Sequence, residues 1–537
     1  MDELALLFAV VPGVILFLYG IENFSKEVQR VAGERFRSAL ARITKRPVFG
    51  ALLGAAITAV IQSSTATTTI TVGLVNSGII SFTQSLGIIL GSNLGTTVTA
   101  QLVAFKLTSF GPLFIVLGFL LSVVGGRYRF IGKPIFYFGL VFFSLTFISD
   151  ALAPFKSDPQ ALMILTMFDN VLLGIIAGFL FTNLVQSSSV TTGIVVLLAS
   201  EGMLTMAQGI PLILGANIGT TITALLASAK MNLYARRAAA SHILFNIIGV
   251  LLILPFLGPF EGFVAYLGGN EARQIANAHL IFNFAALAVF LVAFKQFEAI
   301  VRRVVPGTEK EILLHTKYLS NGLPERNAEA FALIENELNY SIQVTVDLFD
   351  NSISLIKAYS DEKMQKVSKL EVLNDFLDKK ISSALVELSK RRLTEDEARR
   401  IVLLVRISNV LERIGDNAEG MAKGFQGMNR SGSYFSEDAK TELNDVYQRF
   451  RENFRIAMSP FPEIDQRLLK KLKRTSGILE KKVIAAYASH ISRLKSQKAY
   501  SGSVFVDAVS TVESANGKLI EVGDLAKEYS KIKKNGP

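Results

Sequence analysis

The stretch GALLGAAITAVIQSST at residues 50–65 returns 124 positions later as GIIAGFLFTNLVQSSS at residues 174–189. In both copies, glycines four residues apart lead to a threonine and then to a Gln-Ser-Ser run. A second motif, GSNLGTTVT at 91–99, recurs as GANIGTTIT at 215–223, and no gap is needed between the motifs in either copy. Chance does not produce this spacing, so the N-terminal part of the chain contains an internal repeat.

Composition separates the repeat-bearing part of the chain from the remainder. The 537 residues are 50% hydrophobic with a mean hydropathy of +0.39, and nearly all long apolar runs lie within residues 1–300. Residues 301–537 are charged and have the pattern of helix-forming sequence. The chain has no Cys, which excludes disulfides, thiol catalysis and Cys-based metal sites. We therefore expect a membrane domain followed by a domain in water, both all-α.

Seven apolar stretches are long enough to cross a bilayer, which takes about 17–25 residues. Two further apolar segments, 47–79 and 174–200, are interrupted by the Gln-Ser-Ser runs. We predict that each of these two is a re-entrant hairpin, which enters and leaves the membrane on the same side. The predicted crossings are 4–20, 84–106, 111–125, 134–150, 207–229, 238–257 and 279–296.

The basic residues predict the orientation of these segments. If the acidic N-terminus faces outward, sixteen Lys and Arg residues fall inside and only Lys106, Lys156 and Arg273 fall outside, in agreement with the positive-inside rule. The C-terminal domain is then cytoplasmic, and the two hairpins enter from opposite sides. Inverted repeats of this kind are typical of secondary transporters that work by alternating access. The inner set is Lys26, Arg30, Arg35, Arg37, Arg42, Lys45, Arg46, Arg127, Arg129, Lys133, Lys230, Arg236, Arg237, Lys295, Arg302 and Arg303.

The polar runs have the chemistry of an ion-binding site. A polar run inside an apolar hairpin is unfavourable unless it lines a site buried in protein. Ser and Thr hydroxyls and Gln amides can donate to an anion or coordinate a cation. A helix that begins at the break presents N–H groups and the positive end of its dipole to an anion. Unwound carbonyls in the two G-x-N-x-G-T-T motifs can hold Na⁺, and we expect the glycines to permit that irregular backbone.

Charged residues are nearly absent from both repeats. Residues 50–100 contain no Asp, Glu, Lys or Arg, and residues 174–224 contain only Glu201, which we place at the outer tip of the second hairpin. An oxyanion bound between the hairpins needs its charge offset from elsewhere, which favours co-bound Na⁺ over a proton carrier. Three carboxylates at the predicted membrane edges can contribute: Glu22, Asp150 and Asp169.

Packing is the simpler explanation for part of the pattern. Small residues let helices approach closely, which accounts for the paired glycines. Two His-x3-Asn pairs each lie on one helix face, and we interpret them as interhelical hydrogen bonds and not as ligands. Packing does not require paired polar runs in both copies. The residues concerned are Gly50, Gly54, Gly174 and Gly178, and His242 with Asn246 and His279 with Asn283.

The duplicated QSS[ST] hairpins, each followed by G-[AS]-N-[IL]-G-T-T, resemble the type II sodium–phosphate cotransporter family, including its bacterial members. The resemblance covers roughly residues 1–300. It implies symport of inorganic phosphate with Na⁺, both held between the hairpins, and no organic cofactor. Family members include importers and exporters, so the direction is not implied. The binding positions carried over are Gln62, Ser63, Ser64, Thr65, Asn93, Thr96, Thr97, Gln186, Ser187, Ser188, Ser189, Asn217, Thr220 and Thr221, where Thr65 replaces the family's usual third Ser.

The charged C-terminal part has a helical pattern and a second resemblance. Segment 369–390 has apolar residues at spacings of three and four, as an amphipathic helix does. The run LERIGDNA at 411–418 resembles the signature of PhoU-like domains, three-helix bundles that accompany phosphate transport systems. A weaker copy, LIEVGDLA, lies at 519–526. We therefore predict two tandem helical bundles, and this resemblance independently supports phosphate as the substrate.

Glu412 and Asp416 place two carboxylates on one face of a predicted helix. In PhoU-like domains this E-x3-D spacing can bind metal clusters, although oxygen ligands alone indicate no particular metal. The second copy has Ile520 in place of Glu412, so a symmetric metal site is not expected. We favour salt-bridged surface carboxylates over a metal site as the interpretation of this pair.

Together these features predict an all-α protein of the cell membrane. We expect a transport domain at 1–303 with repeat cores at 50–100 and 174–224, a linker at 304–326 and a cytoplasmic PhoU-like domain at 327–537. No nucleophile–base pair, metalloprotease motif or P-loop occurs, so we expect no enzyme, no catalytic residue and no nucleic-acid partner. PhoU-like domains often pair, which suggests a homodimer. The alternatives are a transporter of another oxyanion on the same architecture, or a membrane-anchored regulator that senses phosphate without transporting it.

Overall fold

The computed structural model describes residues 3–41, 46–105, 107–124, 126, 128–156, 158–308, 310–319, 322–459, 461–462, 464–495 and 503–535. Within these residues the regular structure is helical and no β-strand occurs, so the all-α prediction is confirmed. The chain divides into two compact units, Met1–Glu311 and Ile312–Pro537, and the division falls inside the predicted linker. Four of the basic residues used to orient the chain lie outside the described residues: Arg42, Lys45, Lys106 and Arg127.

The first unit contains helices α1 to α15. They are α1 (Glu3–Ala41), α2 (Pro47–Ile61), α3 (Ser64–Asn76), α4 (Phe82–Ala104), α5 (Gly111–Val124), α6 (Tyr128–Leu152), α7 (Pro159–Leu165), α8 (Val171–Val185), α9 (Ser188–Ser200), α10 (Met206–Gly219), α11 (Ile222–Ser228), α12 (Leu233–Ile253), α13 (Leu257–Tyr266), α14 (Glu271–Val292) and α15 (Phe294–Val304). Short 3₁₀ segments lie at Leu107–Phe110, Ala153–Phe155, Thr166–Asp169 and Leu254–Phe256.

Several of these helices are long and apolar enough to cross a membrane. Among the described residues there are five such stretches, each overlapping a predicted crossing, and a bent pair at Met163–Asp169 and Val171–Val185 would make a sixth. The predicted crossing at 111–125 corresponds to α5, which has 14 residues. The prediction at 4–20 lies within α1, which continues to Ala41. The five stretches are Phe82–Ala104, Tyr128–Phe155, Met206–Ser228, Leu233–Tyr266 and Glu271–Val292.

The helix–break–helix segments of the two repeats fold in the same way. Helices α2 and α8 both have 15 residues, and the residue after each is in the left-handed region, with φ of 61° at Gln62 and 56° at Gln186. The 13-residue helices α3 and α9 begin two residues later. Left-handed backbone is unfavourable for a residue with a Cβ, so its occurrence at both glutamines is a shared feature of the breaks. None of these four helices is long enough to cross a bilayer alone.

The glycines of the repeat allow its helices to pack backbone to backbone. A Cβ at Gly54 would lie 2.2 Å from the carbonyl oxygen of Ile88 in α4, and a Cβ at Gly178 would lie 1.9 Å from that of Leu212 in α10. Atoms cannot approach so closely, so a larger residue would separate the helices. The packing interpretation of these glycines is therefore confirmed.

Contrary to the prediction from the sequence, the second motif does not unwind in the first repeat. Helix α4 continues without a break through residues 91–99. Its glycines are needed for close packing, since a Cβ at Gly91 would lie 1.9 Å from the carbonyl oxygen of Ala51. In the second repeat, α10 ends at Gly219 and α11 begins at Ile222, so the interruption is confined to two threonines. The prediction of an irregular backbone was therefore wrong for the first copy.

Carboxylates cap the helices that carry this second motif. The backbone N–H of Phe82, the first residue of α4, donates to Glu311 at 2.6 Å. The N–H of Met206, the first residue of α10, donates to Glu271 in the same way. Both helices also have a capping box, formed by Ser and Gln in α4 and by Thr and Gln in α10. The repeat thus extends to the ends of the helices, although the two carboxylates come from different places in the chain.

The second unit contains helices α16 to α21. Helices α16, α17 and α18 pack against one another, and so do α19, α20 and α21, which confirms the prediction of two tandem bundles. The two bundles share a hydrophobic core, in which α18 contacts α21 and α16 contacts α19. The helices are α16 (Asn327–Lys357), α17 (Asp361–Ser389), α18 (Glu395–Arg430), α19 (Glu437–Met458), α20 (Gln466–Lys495) and α21 (Val504–Asn535).

Candidate functional site

A cavity of about 360 Å³ brings the two repeats together. The Gln-Ser-Ser runs at both helix breaks line it, although they are 124 residues apart in the chain. Its other wall comes from α1. The lining residues from the repeats are Gln62, Ser63, Ser64, Thr65, Ala66, Val185, Gln186, Ser187, Ser188, Ser189 and Thr220.

The serine that follows each break caps the next helix. The hydroxyl of Ser63 accepts from the N–H of Ala66 at 3.2 Å, and that of Ser187 accepts from the N–H of Val190 at 3.3 Å. The first N–H groups of a helix have no acceptor within the helix. Because the first-turn residues of α3 and α9 line the cavity, two helix N-termini can offer N–H donors and positive dipole ends to an anion there.

The glutamines at the two breaks make matching hydrogen bonds but differ in exposure. The Oε1 of Gln62 accepts from Thr99 at 2.6 Å, and the Oε1 of Gln186 accepts from Thr223 at 2.7 Å. Gln62 is only 7% exposed, whereas Gln186 is exposed. The two hairpin tips are therefore alike in bonding and unlike in their access to solvent.

Hydroxyl groups from the two repeats contact each other directly beside the cavity. The hydroxyls of Thr65 and Thr220 are 3.2 Å apart. The hydroxyl of Ser189 donates to the backbone carbonyl of Gln62 at 3.3 Å and accepts from Thr99 at 3.4 Å. Oxygen atoms from both copies are thus concentrated in one place, which suits coordination of a small hard cation.

Most residues of the second motif lie elsewhere. Within the described part of the chain, Thr220 is the only one of the six predicted positions of this motif in the cavity lining. The hydroxyls of Thr96 and Thr97 donate to carbonyls of α4, and that of Thr221 donates to the carbonyl of Ile218 in α10. All of these residues are buried. The residues that the structure does not bring to the cavity are Asn93, Thr96, Thr97, Asn217 and Thr221.

The two asparagines of this motif bind the two His-x3-Asn helices. Asn93 lies 3.3 Å from the Nε2 of His242 in α12, and Asn217 lies 3.2 Å from the Nε2 of His279 in α14. These are interhelical hydrogen bonds between buried side chains, as the sequence predicted. They fasten α12 to the first repeat and α14 to the second.

Helix α1 contributes four polar side chains to the cavity, of which the sequence predicted only Glu22. Glu22, Ser25, Lys26 and Gln29 line the cavity. The predicted first crossing ended at residue 20 and Lys26 was placed on the inner side beyond it, but α1 continues as a helix to Ala41. The spacing of these four residues places them on one helical face and was a visible signal. Lys26 and Glu22 form an ion pair of 2.6 Å with both side chains about two-thirds exposed, so the cavity has one charge of each sign in its wall.

A second candidate site is an acidic cluster in the first bundle of the second unit. One carboxylate oxygen each of Glu371, Asp375 and Asp416 lie within 4.8 Å of one another. Burial, followed by repulsion from Asp375 and Glu419, raises the pKa of Glu371 to about 7. The Oδ1 of Asp375 is buried and has no hydrogen-bond partner among the described residues. These carboxylates fit a divalent cation.

The structure places the two carboxylates of the predicted Glu412–Asp416 pair differently. Asp416 belongs to the cluster, whereas Glu412 lies beside it, with its pKa raised by burial and by the charge of Asp416. Among the described residues neither carboxylate forms an ion pair within 4.0 Å, contrary to the salt-bridge interpretation. Glu371 and Asp375 have the same E-x3-D spacing, which was the signal that could have found them.

The second bundle has no counterpart of this cluster in the described residues. A Cβ at Gly415 would contact Asn374, and one at Gly523 would contact Leu472, so these two glycines mark equivalent helix contacts. The residue after Leu472 is Lys473, which pairs with Asp524 at 3.0 Å. Lys473 therefore occupies the position that Asp375, the residue after Asn374, occupies in the first bundle.

Comparison with known families adds an independent result. The family model described as Na⁺/Pi-cotransporter matches residues 16–150 and again residues 146–293, so it matches once for each repeat. The PhoU domain model matches residues 342–424, which lie in the first bundle. No solved structure matches the chain.

Similar proteins cover either the first unit or nearly the whole chain. The uncharacterized protein YqeW of Bacillus subtilis (strain 168) is 30% identical over 297 residues, 55% of this chain and 96% of its own length. YjbB of Escherichia coli (strain K12), provisionally named an inorganic phosphate export protein, is 24% identical over 526 residues, 96% of this chain and 94% of its own. Sodium-dependent phosphate transport protein 2B of Homo sapiens is 40% identical over 136 residues, 23% of this chain and 20% of its own.

Proposed function

Because the chain belongs to the Na⁺/Pi-cotransporter family and carries a PhoU domain, we propose that it moves inorganic phosphate together with Na⁺ across the cell membrane. The observation that carries this proposal is the single cavity lined by both Gln-Ser-Ser runs. A site shared by two inverted halves can open to either side when the halves exchange conformations, which is alternating access. The two helix–break–helix segments are the re-entrant hairpins of this mechanism.

Phosphate binds in the cavity, and the chain's own groups hold it. The first turns of α3 and α9 donate N–H groups and the serine and threonine hydroxyls donate further hydrogen bonds. Lys26 supplies a positive charge at the wall. The direct ligands are drawn from Gln62, Ser63, Ser64, Thr65, Gln186, Ser187, Ser188, Ser189 and Thr220, while Asn93, Thr96, Thr97, Asn217 and Thr221 hold the surrounding helices in position.

Sodium binds beside phosphate, where the oxygen atoms of the two repeats meet. The hydroxyls of Thr65, Ser189 and Thr220 and the carbonyl of Gln62 lie in this region. A cation there offsets the charge of the oxyanion, which a single lysine paired to Glu22 does not do. Sodium-dependent relatives support this choice of cation. The relative named for phosphate export is a reason to measure flux in both directions.

The second unit is the regulatory part of the protein. We propose that it is cytoplasmic, as the distribution of basic residues predicts, with a linker at 304–326 between a transport domain at 1–303 and the PhoU-like domain at 327–537. The acidic cluster, with Glu412 beside it, holds a divalent cation that stabilises the first bundle. A homodimer through this domain remains a prediction.

The test is phosphate flux in liposomes that contain the purified protein. Radiolabelled phosphate should accumulate when a Na⁺ gradient is imposed at clamped pH, and not with a K⁺ gradient. The double variant Ser64→Ala/Ser188→Ala should lose flux, because both hydroxyls line the cavity. The matched control is Ser77→Ala/Ser200→Ala, which changes serines at the far ends of α3 and α9 and should keep it.

Three outcomes separate the alternatives. If phosphate binds but no cation gradient drives flux, the membrane-anchored regulator replaces the transporter. If sulfate or arsenate competes better than phosphate, the substrate is another oxyanion. If the control loses as much flux as the double variant, the cavity is not the binding site.

A further inference from the structure

The second unit contains a groove of about 720 Å³ that the transport proposal does not use. It lies among α16, α19 and the segment 312–319, and all of its described lining belongs to this unit. Its volume is within the range of small-molecule pockets, about 300–1,000 Å³. The groove is therefore large enough for an organic ligand, and not only for a single inorganic ion.

One wall of the groove is a short segment fixed by a buried carboxylate. Glu337 is fully buried and accepts the backbone N–H groups of Lys317 at 3.0 Å, Tyr318 at 2.6 Å and Leu319 at 3.1 Å. The ammonium of Lys317 lies 3.9 Å from the ring centroid of Tyr340 in α16. The segment is thus held in place without a ligand, which lowers the cost of ordering it on binding.

The groove has an excess of positive charge. Lys317, Arg451 and Arg455 line it, against one carboxylate, Glu452, and Arg451 is itself paired with Asp350 at 3.0 Å. The carboxylate of Glu452 already pairs with Arg449 at 2.6 Å. The guanidinium of Arg455 forms no hydrogen bond or ion pair within the described residues, so it is available to a ligand. Arginine binds phosphate groups strongly, because two of its N–H groups can donate to one phosphate.

The remaining lining has the chemistry that recognises a planar heterocycle. The rings of Tyr318 and Tyr340 line the groove, and Tyr318 is 44% exposed. Four carboxamides can donate to and accept from the edge of a base. Aromatic faces stack on bases with a favourable free energy of about 1–3 kcal/mol per base. The carboxamides are those of Asn336, Asn339, Gln343 and Gln448.

We propose that this groove binds a nucleotide, with its phosphates at Arg455 and Lys317 and its base between the tyrosines and the carboxamides. A bare phosphate or pyrophosphate would use the cations but not the aromatic and carboxamide lining. The site is in a different unit from the transport cavity, so it stands whether or not the proposed transport function is correct. A nucleotide here gives the cytoplasmic domain a metabolic signal to respond to.

The experiment is calorimetric titration of the full-length protein in detergent with ATP, ADP, AMP and pyrophosphate, in buffer free of inorganic phosphate, because phosphate would compete at the cations of the groove. We expect ATP to bind with one site per chain. Arg455→Ala should lower the affinity for ATP at least about tenfold, because it removes a charge-assisted contact. Tyr318→Ala should lower the affinity for ATP several-fold and leave the affinity for pyrophosphate unchanged.

The control is Lys440→Ala, which removes another cation of α19 that pairs with Glu437 and does not line the groove. It should bind ATP as the unsubstituted protein does, and circular dichroism should show equal helix content for all variants. The proposal is overturned if no nucleotide binds, if pyrophosphate binds as tightly as ATP, or if Arg455→Ala binds ATP like the control.

Discussion

Both units of this protein are built from two similar halves, and the halves have diverged to different degrees. In the first unit each break has a left-handed glutamine, a capping serine and a Gln–Thr hydrogen bond, and each feature occurs twice. In the second unit the first bundle has the acidic cluster, whereas the second bundle has a lysine–aspartate pair at the equivalent position. A cavity that both halves line requires the polar run of each half. A site inside one half places no such requirement on the sequence of the other half.

The first unit is nevertheless not symmetric in exposure. Gln62 is buried and Gln186 is exposed, although their hydrogen bonds are nearly the same length. The difference lies in what surrounds each tip and not in the tips themselves. Under the proposed mechanism of alternating access, a difference in exposure between two similar hairpin tips would correspond to a state that is open on one side of the membrane.

The largest expected effect concerns the glycines, where the two repeats should respond alike. Gly54→Ala and Gly178→Ala each place a Cβ within about 2 Å of a backbone oxygen, so each should destabilise the protein by about 1–3 kcal/mol. Thermal unfolding followed by circular dichroism measures this. The control is Gly73→Ala in α3, which has open space and should be neutral. If one of the two positions tolerates alanine, the packing of the two repeats is not equivalent.

The next effect should separate the two repeats. Gln62→Ala removes a buried acceptor from the hydroxyl of Thr99, so we expect a loss of about 1–3 kcal/mol in unfolding free energy. Gln186→Ala acts at an exposed site and should change stability by less than about 0.5 kcal/mol. Both should impair phosphate flux.

Gln62→Gly and Gln186→Gly serve as controls, because glycine adopts the left-handed backbone without strain. Each glycine variant should be more stable than its alanine counterpart. Equal destabilisation by Gln62→Ala and Gln186→Ala would mean that the difference in exposure between the hairpins has no energetic consequence.

The acidic cluster should give a smaller, pH-dependent effect that is confined to one bundle. The pKa of Glu371 is about 7 in the folded protein, above the ordinary value of about 4.3 for glutamate, so the folded state holds this proton more tightly than the unfolded state. Its contribution to stability is therefore present below about pH 4.3 and is lost as the pH rises through about 7. Glu371→Gln should flatten this loss in melting temperatures measured between pH 5 and 8.

The second bundle provides the control for this prediction. Glu521→Gln changes a half-exposed carboxylate that pairs with Arg406, and it should leave the pH profile unchanged. Addition of Mn²⁺ or Mg²⁺ above pH 7 should raise the melting temperature of the unsubstituted protein and not that of Glu371→Gln. Equal stabilisation of both proteins would place the cation elsewhere.

The smallest effect concerns α1, which belongs to neither repeated hairpin. Lys26→Gln should raise the KM for phosphate by a few-fold and leave stability unchanged, since its ion pair with Glu22 is largely exposed. Salt screens such an effect, so it should shrink at high ionic strength. Arg30→Gln, on the same helix but outside the described cavity lining, is the control and should keep the normal KM.

The sequence predicted the parts of the site that occur in both repeats, because repetition at a fixed offset is visible without a structure. It failed where one pattern has two physical explanations. The glycines of residues 91–99 suit an irregular backbone and close packing equally well, and only the neighbouring carbonyl of Ala51 decides between them. Lys26 was not predicted in the site because the predicted crossing ended at residue 20, whereas α1 continues as a helix to Ala41. Glu371 and Asp375 were missed although their E-x3-D spacing is visible, because only the fold brings them to Asp416 on another helix.

The caps of α4 and α10 have a consequence for the order in which the protein can be completed. The N–H of Met206 is capped by Glu271, which is 65 residues later in the chain. The N–H of Phe82 is capped by Glu311, which is 229 residues later and is therefore synthesised after a longer interval. At about 5–20 residues per second of synthesis, that second interval is about 11–46 s. The first repeat is synthesised first, but its helix cap is completed last. The residue that completes it, Glu311, is the last residue of the first unit.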